Sequence, residues 1–184
     1  AEVEDIASAI YRGADAIMLS GETAIGKYPV QSVEMMVKVA NETEKELKPR
    51  LGYGPSKRVS DVISSLVAKA VLISDVKAIV TSTRSGYTAC MISRHRLPVP
   101  TYGMTNKVET ARKLSIVWGI NEVYVDKDKG GISKDVLHVA EYLKNQGLRD
   151  NDLFVFTAGV NSTKVKRTNL LEIREIGEVL SSGE

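Results

Sequence analysis

The segment AIVTSTRSGYTAC, Ala78 to Cys90, decides how this chain is read. Ala78 to Thr81 is a short apolar run of strand type. Thr83 to Thr88 is a hydroxyl-rich turn built around Gly86, and a helical stretch follows that glycine. Strand, turn and helix in immediate succession predict a βα unit. The same alternation continues on both sides. A helix is expected from Ser60, as N-cap, to about Ile73. Downstream, PTYGMT reads as a strand, and Asn106 with Glu109 three residues later resembles a capping box. NEVYVD is a third strand. Ser133 is placed to cap a helix ending near Gly147, and LFVFTAG is a fourth strand. LLEIREI, Leu170 to Ile176, alternates and reads as a final edge strand. The expected fold is α/β: a three-layer αβα sandwich on a mostly parallel five-stranded sheet, its last strand antiparallel.

The N-terminal part reads differently. Residues 2 to 11 form an amphipathic helix with Val3, Ile6, Ala7 and Ile10 on one face, early acids suited to its positive end, and Gly13 to stop it. ADAIMLS, Ala14 to Ser20, is apolar without clean alternation, as in a strand covered on both sides. Pro29 suits the first position of another helix, in which Val30, Val33, Val37 and Ala40 keep the spacing of a buried stripe. Helix, strand, helix is therefore expected over 1–48, and one strand cannot make a sheet. Such a strand must find neighbours elsewhere, in other parts of a longer chain or in a second copy. PRLGYGPSK supplies a Gly- and Pro-rich linker at 49–57, and 58–184 holds the α/β domain.

Composition narrows the function classes. The 184 residues carry a net charge of +2, with 26% charged and 5% aromatic residues, which argues against a nucleic-acid surface despite basic segments at 84–96 and 164–167. No run is long enough to span a membrane, and Glu2, Glu4 and Asp5 disagree with a signal peptide. Cys90 is the single cysteine, so no internal disulfide can form, and a cytoplasmic location is expected. With two histidines far apart, no zinc site and no other metal site is expected.

The Thr83–Thr88 turn is the candidate site. Helix N-terminal N–H groups attract anions, and the hydroxyls of Thr83, Ser85 and Thr88 can donate to phosphate oxygens. Arg84 adds charge, and Gly86 lets backbone approach closely. Ligands of open α/β sheets bind at the carboxyl ends of strands, where this turn falls. A hydroxyl-capped helix start that needs no ligand is the competing reading.

Three stretches together resemble one family. AEVEDIASAIYRGADAIMLSGETAIGKYPVQSVEMM resembles the last part of the catalytic barrel of pyruvate kinases. VTSTRSGYTACMISRHRLPVPTYGMTNKVETARKLSIVWGI is similar to their C-terminal domain, and GLRDNDLFVFTAGV to the strand before that domain's last loop. The resemblance implies that 1–48 is the end of a TIM barrel and that 58–184 is an effector-binding domain. It implies phosphoryl transfer between phosphoenolpyruvate and ADP, with magnesium and potassium, in the complete enzyme. It also implies that the catalytic and metal-binding groups lie outside this chain, which alone would be inactive, with no catalytic residue and no cofactor of its own.

Ser20, Glu22 and Thr23 would then be a remnant of the active-site rim. The family commonly has a lysine where this chain has Ile25, and Lys27 is the cation left nearby. The turn at Thr83, Arg84, Ser85, Gly86 and Thr88 would cradle the phosphate of an allosteric effector, a sugar phosphate or a nucleotide. Lys164 and Arg167 would stand in a lid loop ending at Thr168-Asn169, or else form a solvated basic hairpin beside an edge strand. Tyr87, where some relatives have a basic residue, leaves the effector free to differ from the sugar bisphosphate of the animal and yeast enzymes. Other residues get plainer readings: His95 and His138 as non-catalytic, Trp118 as packing between layers, Met35 and Met36 as helix-face residues.

Three functions stay open at this stage. The chain is a regulatory portion of a pyruvate kinase, a free-standing phosphometabolite-binding protein of that fold, or, least supported, a nucleic-acid-binding module. A first residue that is Ala rather than Met favours the first.

Overall fold

The computed structural model describes residues 2–124, 132–159 and 168–182. The chain separates into two units, Ala1–Lys48 and Pro49–Glu184.

The first unit is helical. α1, Glu2–Arg12, ends in a turn in which Gly13 takes φ 95°. The Gly13 N–H donates to the Ile10 carbonyl and the Ala14 N–H to the Ala9 carbonyl, a left-handed glycine stop that satisfies two orphan acceptors. α2, Gly21–Ala24, is a single turn, and α3, Pro29–Lys45, starts with Pro29 at its first position as expected. The expected strand at Ala14–Ser20 is absent. Those residues are irregular, and Met18 is 88% exposed. The reason is the backbone: a strand exists only where a neighbour accepts and donates its ladder bonds. The stripe on α3 is likewise not buried, since Val30, Val33 and Val37 are exposed.

The second unit is built on a sheet. α4, Val59–Ile73, leads into β1, Val76–Ser82, and α5, Tyr87–Ser93, into β2, Thr101–Thr105. α6, Val108–Leu114, precedes β3, Ile120–Tyr124, and α7, Ile132–Asn145, precedes β4, Leu153–Ala158. β5, Leu170–Glu175, runs directly into α8, Ile176–Ser181. The strand order is β3-β2-β1-β4-β5. All neighbours pair in parallel except β4 with β5, which is antiparallel. This is the expected five-stranded mixed sheet.

Helices cover both faces. Ala78, Val80, Phe154 and Phe156 pack with Val139 and Leu143 of α7 and Ile176 of α8. The alternate residues Ile79 and Val155 pack with Val67 and Val71 of α4 and Ile92 of α5. Period-two alternation on doubly covered strands gives the continuous apolar runs seen in the sequence. α6 joins the α4 face, with Leu114 against Ala89 and Ile120.

Three expected caps shift. α4 begins at Val59 after Arg58, with Ser60 buried inside it; α6 begins after Lys107 rather than Asn106; Ser133 lies within α7. Local hydroxyl and amide chemistry marks a helix start only to within a residue or two, because flanking backbone geometry chooses the cap. At α4 the work is shared: the Ser56 hydroxyl accepts from the Arg58 N–H at 3.1 Å and donates to the Asp61 carboxylate at 2.8 Å.

Candidate functional site

The sheet order reverses at β1. From β1 the chain moves outward to β2 and β3 through α5 and α6, then returns to β4 on the other side of β1. The carboxyl ends of β1 and β4 are therefore the topological switch point, the place where open α/β sheets bind their ligands. The turn after β1 holds Thr83 to Thr88; the chain after β4 re-enters the sheet through Thr168 and Asn169.

Those two segments meet. The hydroxyls of Thr88 and Thr168, both buried, share a hydrogen bond of 2.6 Å across a separation of 80 residues. The Asn169 N–H donates to the Ala158 carbonyl at 3.1 Å, fixing the return. Within the turn, Thr83 Oγ1 accepts from the Gly86 N–H at 3.0 Å, and the Thr110 hydroxyl donates to the Arg84 carbonyl at 3.0 Å. The side chains of Arg84 and Ser85 are exposed. Ser85 Oγ sits only 3.5 Å from the Tyr87 N–H, a weak contact that leaves its hydroxyl open to a ligand.

Gly86 is required by conformation, at φ 82°, where side chains are disfavoured. A Cβ there would also lie 3.2 Å from Leu114 Cδ2. The glycine thus serves the turn and its packing. The first-turn N–H groups of α5 have no intrahelical acceptors, as in any α-helix.

Sequence reasoning missed a polar network beside this turn. The Tyr87 hydroxyl donates to Asp61 Oδ1 at 2.9 Å and accepts from Arg58 Nη1 at 3.1 Å. It ties the turn to the start of α4. The Ser56 hydroxyl, with Tyr87 second, holds the Asp61 carboxyl below its ordinary value, and Tyr87 raises that of Arg58. No local signal could have shown this, since the partners lie 26 and 29 residues from Tyr87. Lys164 and Arg167 lie outside the described residues.

The rim residues form a local turn. The Ser20 N–H donates to Glu22 Oε2 at 3.0 Å and the Thr23 hydroxyl to the Ser20 carbonyl at 3.2 Å. These backbone hydrogen bonds lower the Glu22 carboxyl. Lys27 is exposed in the same unit. His138 is exposed on α7, and Trp118 stacks under the Arg96 guanidinium at 4.6 Å. Among the described residues no cluster of three or more His, Cys, Asp or Glu could hold a metal ion, and no helix is long and apolar enough to cross a membrane.

Known proteins resemble the whole chain. Residues 61–174 match the pyruvate kinase alpha/beta domain, and residues 1–33 match the pyruvate kinase barrel domain. The chain is 37% identical to a pyruvate kinase of Sporosarcina psychrophila, 39% to one of Bacillus licheniformis and 36% to pyruvate kinase 2 of a Synechocystis strain. In each pairing all of this chain is covered, but it spans only about a third of the relative's length: 32%, 32% and 31%. With two domain matches in the same order and full coverage of its own length, the chain belongs to the pyruvate kinase family, to whose C-terminal portion it corresponds.

Proposed function

We propose that this chain is the regulatory portion of a cytoplasmic pyruvate kinase and that the β1/β4 switch point binds a phosphorylated effector, a sugar phosphate or a nucleotide. The observation that carries this reading is the Thr88–Thr168 hydrogen bond, which joins the turn and the returning chain at the switch point of the sheet. Ser85 and Arg84 then face a phosphate from the open side, with the first-turn N–H groups of α5 beneath. Lys164 and Arg167 supply further charge from the loop that ends at Thr168. Gly86 shapes the turn around the anion.

The complete enzyme would transfer phosphate between phosphoenolpyruvate and ADP with magnesium and potassium. Phosphoryl transfer depends on positioned cations around the moving group. On the family resemblance those groups lie outside residues 1–184, so the chain alone is inactive, and Ser20, Glu22, Thr23 and Lys27 contribute only a rim. Other parts of a pyruvate kinase chain, or a second copy, would cover the apolar surface of 1–48.

Calorimetry against a panel of phosphorylated metabolites and their uncharged parents tests the reading. A charge-assisted hydrogen bond from Ser85 contributes about 1.5–3 kcal/mol, and the buried Thr88 hydroxyl holds the turn to Thr168, so Ser85→Ala with Thr88→Ala should weaken binding roughly a hundredfold or more, through one lost ligand contact and one lost tie between the two segments. Ser85→Ala alone, at an exposed position, should weaken it about tenfold with an unchanged melting temperature. A phosphorylated ligand that binds wild type and double variant equally well would overturn the proposal.

A further inference from the structure

The segment that follows Lys48 is fastened to the end of α5 by a clasp centred on His95. The Arg50 N–H donates to the His95 carbonyl at 2.8 Å, and His95 Nδ1 lies 2.7 Å from the Arg50 carbonyl. A carbonyl only accepts, so the ring proton of that bond is on Nδ1. Tyr53 completes the clasp. Its hydroxyl donates to the Arg94 carbonyl at 2.8 Å, its ring meets the His95 ring edge-on at 5.0 Å, and the Arg94 guanidinium lies 4.1 Å above it. His95 is fully buried, and Nε2 has no protein partner among the described residues.

We propose that His95 is a pH-dependent latch that holds the segment around Arg50 and Tyr53 on the α/β domain when its imidazole is neutral. Protonation would place an N–H at Nε2 in a buried position, and a second positive charge beside Arg94. From the linker, the Arg50 carbonyl and the Tyr53 ring face the imidazole; beside it in the chain are Arg94, whose charge opposes its protonation, and Arg96, which is stacked on Trp118. None of these four side chains is a carboxylate that would welcome the charge. Burial first, and Arg94 in addition, push the imidazole below its ordinary value, against a smaller upward pull from the Arg50 carbonyl.

The sign follows from linkage. With the folded value depressed, the unfolded chain takes up the proton first. The neutral clasp therefore contributes fully above about pH 6.5 and is lost as pH falls from there toward the folded value.

Two measurements on the full chain test this. NMR titration should show the His95 ring protonating below the free-histidine midpoint, with the Arg50 and Tyr53 amides shifting at the same midpoint. Denaturant unfolding at several pH values should show a wild-type unfolding constant rising up to tenfold more per pH unit, below about pH 6.5, than that of His95→Asn. That variant offers an amide donor near the Nδ1 position and does not titrate; His138 is common to both proteins. An ordinary midpoint for His95, Arg50 and Tyr53 amides that stay still while the ring titrates, or parallel pH profiles would each overturn the latch.

Discussion

Residues 1–48 and 49–184 have sequences of similar apolar character but very different interiors. In the second unit Phe154, Phe156, Ile79 and Val155 are fully buried, because every strand finds a neighbour and both sheet faces find helices. In the first, Ile10 is the one apolar residue that is buried among those described, while Met18 and Ile25 are about nine-tenths exposed, at 88% and 91%. An apolar run becomes a strand only when another strand completes its hydrogen bonds. The run at Ala14–Ser20 has the composition for it, and no strand among the described residues pairs with it.

The same contrast separates the two glycine turns. Ser20–Thr23 and Thr83–Thr88 look alike as sequence: hydroxyls, a glycine, and a helix start. The first spends its polar groups on its own backbone. The second reaches Thr168 at the return into β5 and Asp61 on α4. Long-range partners, which only the sheet order can bring together, make one a candidate site and leave the other a local turn.

Substitutions can sharpen this comparison. The largest effect is expected at Phe154, whose replacement by Ala should cost about 3–5 kcal/mol in urea unfolding. Met18→Ala should stay within about 0.5 kcal/mol. Equal losses at the two positions would break the contrast. A smaller effect is expected from Gly103→Ala in β2. Its new Cβ would sit 2.8 Å from Leu114 Cδ1 and 3.2 Å from Ile120 Cγ2, both buried side chains, at a cost of about 1–3 kcal/mol. At Gly21 an added Cβ meets nothing within 4 Å, so Gly21→Ala should be nearly neutral.

A smaller effect than at Gly103 is expected from Tyr87→Phe, which removes the bonds to Asp61 and Arg58 at a partly exposed site. Its sign with pH is fixed. The Asp61 carboxyl is held low in the folded state, so its contribution is present above about pH 4 and lost as pH falls through the folded value. The stability gap between wild type and Tyr87→Phe should therefore close in acid. A gap that widened there would show that Asp61 is not the partner that matters.

How much of this was legible in the sequence follows from the same physics. The strands of the second unit were readable because doubly covered strands carry unbroken apolar runs, and Val76–Ser82 and Leu153–Ala158 do. The strand at Ala14–Ser20 was misread because composition reports suitability and not the presence of a neighbour. α8 escaped notice because Leu170–Ile176 alternates smoothly into it, and the turn to helix depends on backbone bonds from Ile176 to Asp152 and Gly177 to Asp150. The Thr83–Thr88 turn was legible from its residue types. Its connections to Thr168, Asp61 and Arg58 were not, since they join residues 80, 26 and 29 positions apart. Tyr87 was read only as a departure from a basic residue, whereas it anchors the turn to α4.

The most direct test of the central claim is an amide NMR titration of the full chain with a phosphorylated metabolite that calorimetry shows to bind. The account predicts that the largest shifts fall on Ser85, Gly86, Tyr87 and Asn169, at the β1/β4 switch point, and that the amides of Ser20–Thr23 stay still. Shifts concentrated at Ser20–Thr23, or anywhere but the turn after β1 and the return into β5, would contradict it.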